Sequence, residues 1–264
     1  MIGDSSLDPE EPRPTSGEGG TMRLAGAALC LSLATLLAVH GCAPPPEKAD
    51  RWAGPVALCF PEAGPEDAAA IGQVRKAAQT WMQNSGAIFY VLASCTAPPP
   101  GNAPPPVATI PIFFLTDLGA FAATDHLGNK LAAGGQIRLK AEYRFNDPIC
   151  GDRGSVGQMG CLYGEAVHEL GHALGFSHDH VSVNAPQCAG KVVSGEATDQ
   201  KMTYYDSQSV MNYCNPRRWS GQLSQADICS VQVAYPRRGD RPRTAQECQQ
   251  IAALSSQTGT ARGK

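Results

Sequence analysis

His168-Glu169-Leu170-Gly171-His172 sets two imidazoles four residues apart, and on a helix that spacing places both on one face, within reach of a single ion. Glu169 follows the first histidine and is turned about 100° around the axis, where its carboxylate reaches a water at the metal without ligating the metal. A third ligand requires the chain to turn sharply after the helix. Gly175 permits that turn, because a residue without Cβ enters the left-handed conformation at little cost, and His178 then comes back toward the pair. Three neutral imidazoles leave one tetrahedral position open, which is the arrangement of a catalytic rather than a structural zinc site. The chemistry implied is hydrolysis by an activated water, with Zn2+ as the cofactor and Glu169 as the general base.

The complete pattern H-E-x-x-H-x-x-G-x-x-H, at His168, Glu169, His172, Gly175 and His178, resembles that of the metzincin zinc endopeptidases. Ser209-Val210-Met211-Asn212-Tyr213 is similar to the Met-turn of the same superfamily. The resemblance implies that Met211 forms an apolar floor under the histidines and that Tyr213 stabilises the oxyanion, as the tyrosine of astacins and serralysins does. It also implies a peptide or protein substrate lying antiparallel to an edge strand, for which Leu118 to Ala123 is the expected segment. Leu223 through Pro236 is similar to the superfamily's C-terminal helix, so the likeness spans residues 52–237. Asp179 after the third histidine matches the reprolysins, whereas astacins carry Glu there, so the subfamily stays open. Cys214 to Trp219 would wall the pocket for the side chain after the scissile bond; Arg217 and Arg218 either favour an acidic side chain there or are solvated loop residues.

A rival reading is a lipid-anchored binding or adhesion module that retains zinc as a structural ion. Glu169 weighs against it, since a structural site has no use for a carboxylate beside an open position.

The elements that must position these groups follow from hydrophobic pattern. Val56 to Phe60, Ile88 to Ala93, Thr109 to Leu115 and the alternating Gln136 to Tyr143 read as strands, and Pro65 to Gln83 as a helix buried through Ala69, Val74, Ala77, Ala78 and Trp81. Pro98 to Pro106 is too dense in proline to join a ladder and reads as a surface insertion. The fold expected is α+β and metzincin-like. It has a mixed twisted sheet, two long helices above the zinc cleft, and a smaller, mostly irregular C-terminal subdomain ending in a helix.

The chain has 264 residues, 42% hydrophobic and 17% charged, which excludes a disordered chain and a polytopic membrane protein. Ten cysteines point to export rather than a reducing compartment. The uncharged run Leu24 to Val39 ends in Val39-His40-Gly41-Cys42, which resembles the lipobox of bacterial lipoproteins and marks Cys42 as the lipidated residue. The expected organisation is an extension and signal peptide over 1–41, a Pro-rich tether over 42–51, the catalytic domain over 52–237 and a basic polar tail over 238–264. In the tail, Cys248 is the expected tether, Gln249 to Leu254 a short helical turn and the last ten residues disordered.

Residues 1–41 account for the whole formal charge of −3, so the remaining chain is balanced and gives no electrostatic reason to bind nucleic acid. The eight cysteines after Cys42 allow up to four disulfides, with Cys150 to Cys161 favoured by local closure. Between Cys42 and Trp52 there is no room for an inhibitory prodomain, so a monomer that is exported active or is restrained by something else is expected, anchored at the bacterial cell envelope, with the outer membrane favoured, or secreted. The aspartates from Asp147 to Asp152 read as ordinary turn chemistry rather than a calcium loop.

Overall fold

The computed structural model describes residues 51–115, 123–140, 154–179 and 205–261. Two parallel pairings place β1 (Val56–Cys59) between β2 (Phe89–Val91) and β3 (Ala108–Leu115). On its other edge β3 pairs in parallel with β5 (Ile137–Lys140). The two-residue strand β4 (Ala123–Thr124) runs antiparallel along β5, giving a mixed five-stranded sheet of order β2-β1-β3-β5-β4. β1 is buried at all four positions: it is flanked on both edges, Val56 and Leu58 pack in the core with the helices, and Ala57 and Cys59 pack against Tyr90, Leu92 and Ala97. In β5, Ile137 and Leu139 are buried while Arg138 and Lys140 are half-buried, the alternation expected of a strand with one wet face.

Two long helices complete the layer over the sheet. A 3-10 turn at Pro65–Asp67, closed by a hydrogen bond from Gly64 N to Asp67 Oδ2, leads into α1 (Ala68–Asn84). The buried stripe of α1 is Ala70, Val74, Ala77, Ala78 and Trp81. Ala69 is exposed, so the expected stripe was out of phase by one residue at its first turn; Ala70, not Ala69, lies a full turn before Val74. α2 (Gly154–Ala173) packs against α1, with Trp81 donating from Nε1 to Val167 O at 2.8 Å.

α3 (Gln225–Ala234) is opened by a reciprocal cap. Ser224 Oγ accepts from Asp227 N, and Asp227 Oδ2 accepts from Ser224 N, each at 2.9 Å. α4 (Ala245–Ala261) packs against α3 and is stapled to it by Cys229–Cys248. This corrects the reading of the tail: a 17-residue helix replaces the single turn expected at Gln249 to Leu254, and residues 255–261 are helical rather than disordered. The packing against α3, plus the cross-link, adds tertiary support to a run that begins with good helix formers and ends in the weaker Ser255, Ser256, Thr258, Gly259 and Thr260.

Cys59–Cys95 ties the end of β1 to the loop after β2. Cys161 and Cys214 are also disulfide-bonded, but Cys150, the partner expected for Cys161, lies outside the described residues. So do Cys42, the aspartates from Asp147 to Asp152, and all of the expected substrate strand except Ala123. Among the described residues no helix is long and apolar enough to cross a membrane.

Candidate metal centre

α2 carries His168, Glu169 and His172, and its end is built to return the chain. Gly175 N donates to His172 O at 2.8 Å and Phe176 N to Gly171 O at 3.0 Å, the two bonds of a Schellman stop, with Gly175 at φ 95°. The remaining terminal carbonyls find side chains from the two ends of the domain. Trp52 Nε1 donates to Ala173 O at 2.6 Å, and Tyr235 OH to Leu174 O at 3.0 Å. The turn therefore has a fixed exit direction, and three residues on it brings His178 back onto the helix face.

The three imidazoles converge through Nε2. His178 Nε2 lies 3.1 Å from His168 Nε2 and 3.0 Å from His172 Nε2. His168 Nδ1 lies 2.8 Å from Val210 O, and His172 Nδ1 lies 2.7 Å from Phe176 O. A carbonyl only accepts, so each Nδ1 carries the proton and each of these two Nε2 atoms presents a lone pair to the centre. Lone pairs facing one another at this distance repel unless a cation lies between them. Tetrahedral ligation with Zn–N of about 2.0–2.1 Å spaces ligand nitrogens by about 3.3 Å, close to the separations found here. The residues thus fit zinc in donor type, tautomer and spacing. Burial, aided by the neighbouring imidazoles, pushes His168 well below the usual histidine value, which keeps the ring neutral as ligation requires.

Glu169 is 3% exposed, and burial raises its carboxyl to about 7; a hydrogen bond from Thr124 and the charge of Arg138 pull partly the other way. Thr124 Oγ1 donates to Glu169 Oε2 at 2.7 Å, so strand β4 holds the carboxylate of the residue that follows His168. Sequence pattern did not single out Thr124, because a two-residue strand has no periodicity to read.

Met211 is buried at 1% exposure and abuts α2 between the two helical histidines: a Cβ at Gly171 would collide with Met211 Sδ and lie 3.1 Å from the Trp81 ring. Gly171→Ala is therefore expected to cost about 2 kcal/mol through overpacking. Chemical denaturation reads the loss, and a lower midpoint at unchanged slope is the expected result. Tyr213 stacks on His168 with ring centroids 5.2 Å apart and lies 4.5 Å from the His178 ring. Arg218 clamps that tyrosine: its Nη1 donates to Tyr213 O at 2.7 Å, and its guanidinium sits 4.6 Å from the Tyr213 ring centroid and 4.2 Å from that of Trp219. Arg217 is exposed.

No family model matches the chain, and no curated protein does. Among solved structures the chain is similar to one of myroilysin, at 17% identity and a TM-score of 0.46, over 72% of this chain and 97% of that one. A crystal structure of myroilysin shows 19% identity and a TM-score of 0.43, over 72% and 87%. High choriolytic enzyme 1, a hatching enzyme zinc-protease from the medaka fish Oryzias latipes, shows 18% identity and a TM-score of 0.42, over 70% and 94%.

Proposed function

We propose that the chain is a zinc-dependent endopeptidase. The observation that carries this reading is the convergence of three Nε2 atoms, with the residue after the first of these histidines, Glu169, contributing a buried carboxylate that is held by Thr124. A closed structural site needs a fourth protein donor, and among the described residues the group numbers three.

When bound, zinc supplies Lewis acidity, which polarises a carbonyl and acidifies a water. His168, His172 and His178 hold it, two of them with their tautomer set by a carbonyl. Glu169 takes a proton as the water oxygen attacks the scissile carbonyl carbon. It returns that proton to the nitrogen as the C–N bond breaks, and a carboxyl raised to about 7 suits both directions near neutral pH. Tyr213 donates a hydrogen bond to the developing oxyanion. Tyr213→Phe should lower kcat about 10²-fold with KM little changed, the cost of one oxyanion donor.

Thr124→Val removes the hydroxyl that orients Glu169 and is expected to lower kcat about tenfold, in line with the free energy of one charge-assisted hydrogen bond, while Thr124→Ser restores it. Failure of the serine variant to restore turnover would make the threonine a packing residue only.

Cleavage of a complex mixture of proteins tests the function. New termini inside polypeptides, absent when zinc is chelated, are expected; release of terminal residues alone, or no cleavage, contradicts it. We further propose lipid attachment at Cys42, on the Val39-His40-Gly41-Cys42 pattern. Metabolic fatty-acid labelling that persists in Cys42→Ser would refute it.

A further inference from the structure

The face on which the chain enters the domain carries two features that the histidine centre does not use. Arg51 Nη1 donates to Val233 O at 3.3 Å and to Ala234 O at 3.4 Å, and Trp52 N donates to the Tyr235 hydroxyl at 3.2 Å, so the entry lies beside the end of α3. Just past it, Val56 N donates to Ile88 O at 3.0 Å and Val107 N to Pro55 O at 2.7 Å. Ile88 and Val107 therefore flank the entry on either side, next to the starts of β2 and β3. They are 46% and 52% exposed, two of the three large apolar side chains exposed among the described residues. A cleft of about 360 Å³ opens beside them, lined in part by Trp52, Ile88, Tyr235 and Pro236. Apolar side chains grouped around one cleft, rather than scattered singly, mark an interaction surface.

The second feature is cationic. Residues 236–247 hold four arginines against Asp240 and Glu247, and every residue from Pro236 to Thr244 is exposed. Arg237 fixes this segment to the same face. Its guanidinium donates to Ser85 O and Met82 O, each at 3.0 Å, and to Gln83 O, while Gly86 N donates to Tyr235 O at 2.7 Å. Arg241 is taken up by Glu247, which leaves Arg238 and Arg243 as the cations that the segment offers to an outside anion.

We propose that this face docks on a phospholipid bilayer with anionic headgroups, Ile88 and Val107 entering the interface and Arg238 and Arg243 meeting phosphates. A bilayer surface presents a phosphate layer over hydrocarbon, and a patch of apolar side chains edged by arginine engages both. The chain upstream of the entry favours a bilayer over a protein partner. Residues 42–51 reach at most about 30 Å when fully extended, so a lipid on Cys42 keeps this face next to the membrane. A lipid anchor fixes distance and leaves orientation open; a basic patch beside it supplies the second signal. The choice of a bilayer rests on the lipid attachment proposed above and not on the chain being a peptidase, and the test reads docking by the face itself, with Cys42 unmodified.

Hydrogen exchange of the full chain, followed by mass spectrometry, locates the contact. Exchange in residues 86–88 and 236–243 is expected to slow with phosphatidylcholine vesicles that contain about one-third phosphatidylglycerol, and not with phosphatidylcholine alone. Raised salt reverses the slowing. Because the readout is local to these segments, association through Leu24 to Val39 does not imitate it. Arg238→Gln with Arg243→Gln should weaken the protection by about fivefold for each arginine. Arg238→Lys with Arg243→Lys should keep it, since the bilayer reads charge. Both positions are exposed, so chemical denaturation of either pair should give the wild-type midpoint. Equal slowing on the two kinds of vesicle, slowing confined to other segments, a glutamine pair as well protected as wild type, or a lysine pair as poorly protected as the glutamine pair overturns the proposal.

Discussion

The Glu169→Gln protein is expected to keep one zinc per chain and to lose about 10⁴-fold in kcat/KM on a protein substrate, the upper end of what a positioned general acid–base contributes. The separation of the two readouts is what gives this result its force. Glu169 belongs to α2 but not to the converging imidazole group, and its carboxylate accepts a hydrogen bond from the Thr124 hydroxyl. An amide of the same shape accepts that hydrogen bond through its oxygen but cannot take up a proton. Zinc content by elemental analysis and turnover of a quenched peptide, measured on one preparation, decide it. Retained turnover removes Glu169 from the chemistry, and joint loss of zinc and turnover makes it a ligand or a structural residue instead.

His172→Ala is expected to have the second large effect, lowering zinc affinity by at least about 10³-fold and abolishing turnover at ordinary zinc concentrations. His172 lies at the centre of the arrangement. Its Nε2 faces His178 at 3.0 Å, and its Nδ1 is held at 2.7 Å from Phe176 O, inside the turn that delivers His178. The substitution removes a ligand and also a tie across the Schellman stop. Competition with a chromophoric chelator measures the affinity. Tight zinc binding that survives in His172→Ala would mean that the ion is held elsewhere.

How far the sequence reached depended on whether a feature is local. The histidine centre was readable because its parts lie within 11 residues and each spacing has a mechanical meaning: i to i+4 on a helix, then a glycine stop, then a short return. α1 and β5 were readable from periodicity, and β1 and β3 from short apolar runs between turn residues; the described ends of α1, β1 and β3 differ from the expected ones by one to three residues, and residues 141–143 of the expected β5 strand lie outside the described residues.

Thr124 was not, because its role exists only once β4 has paired with β5 beside α2. The buried cluster of Asp179, Asp206 and Asp227 was not either, since Asp179 and Asp227 are 48 residues apart and meet only in the fold; the local trace is Ser224-x-x-Asp227, a helix-start signature. α4 was underestimated because its helicity comes from α3 and from Cys229–Cys248, not from the residues of Ser255 to Ala261.

Zinc K-edge X-ray absorption on the purified chain tests the central claim most directly. Three imidazole nitrogens and one further light atom at about 2.0–2.1 Å are predicted, with the imidazole outer-shell signal reduced in His178→Ala. Sulfur scattering at about 2.3 Å, or a spectrum unchanged by that substitution, would contradict it.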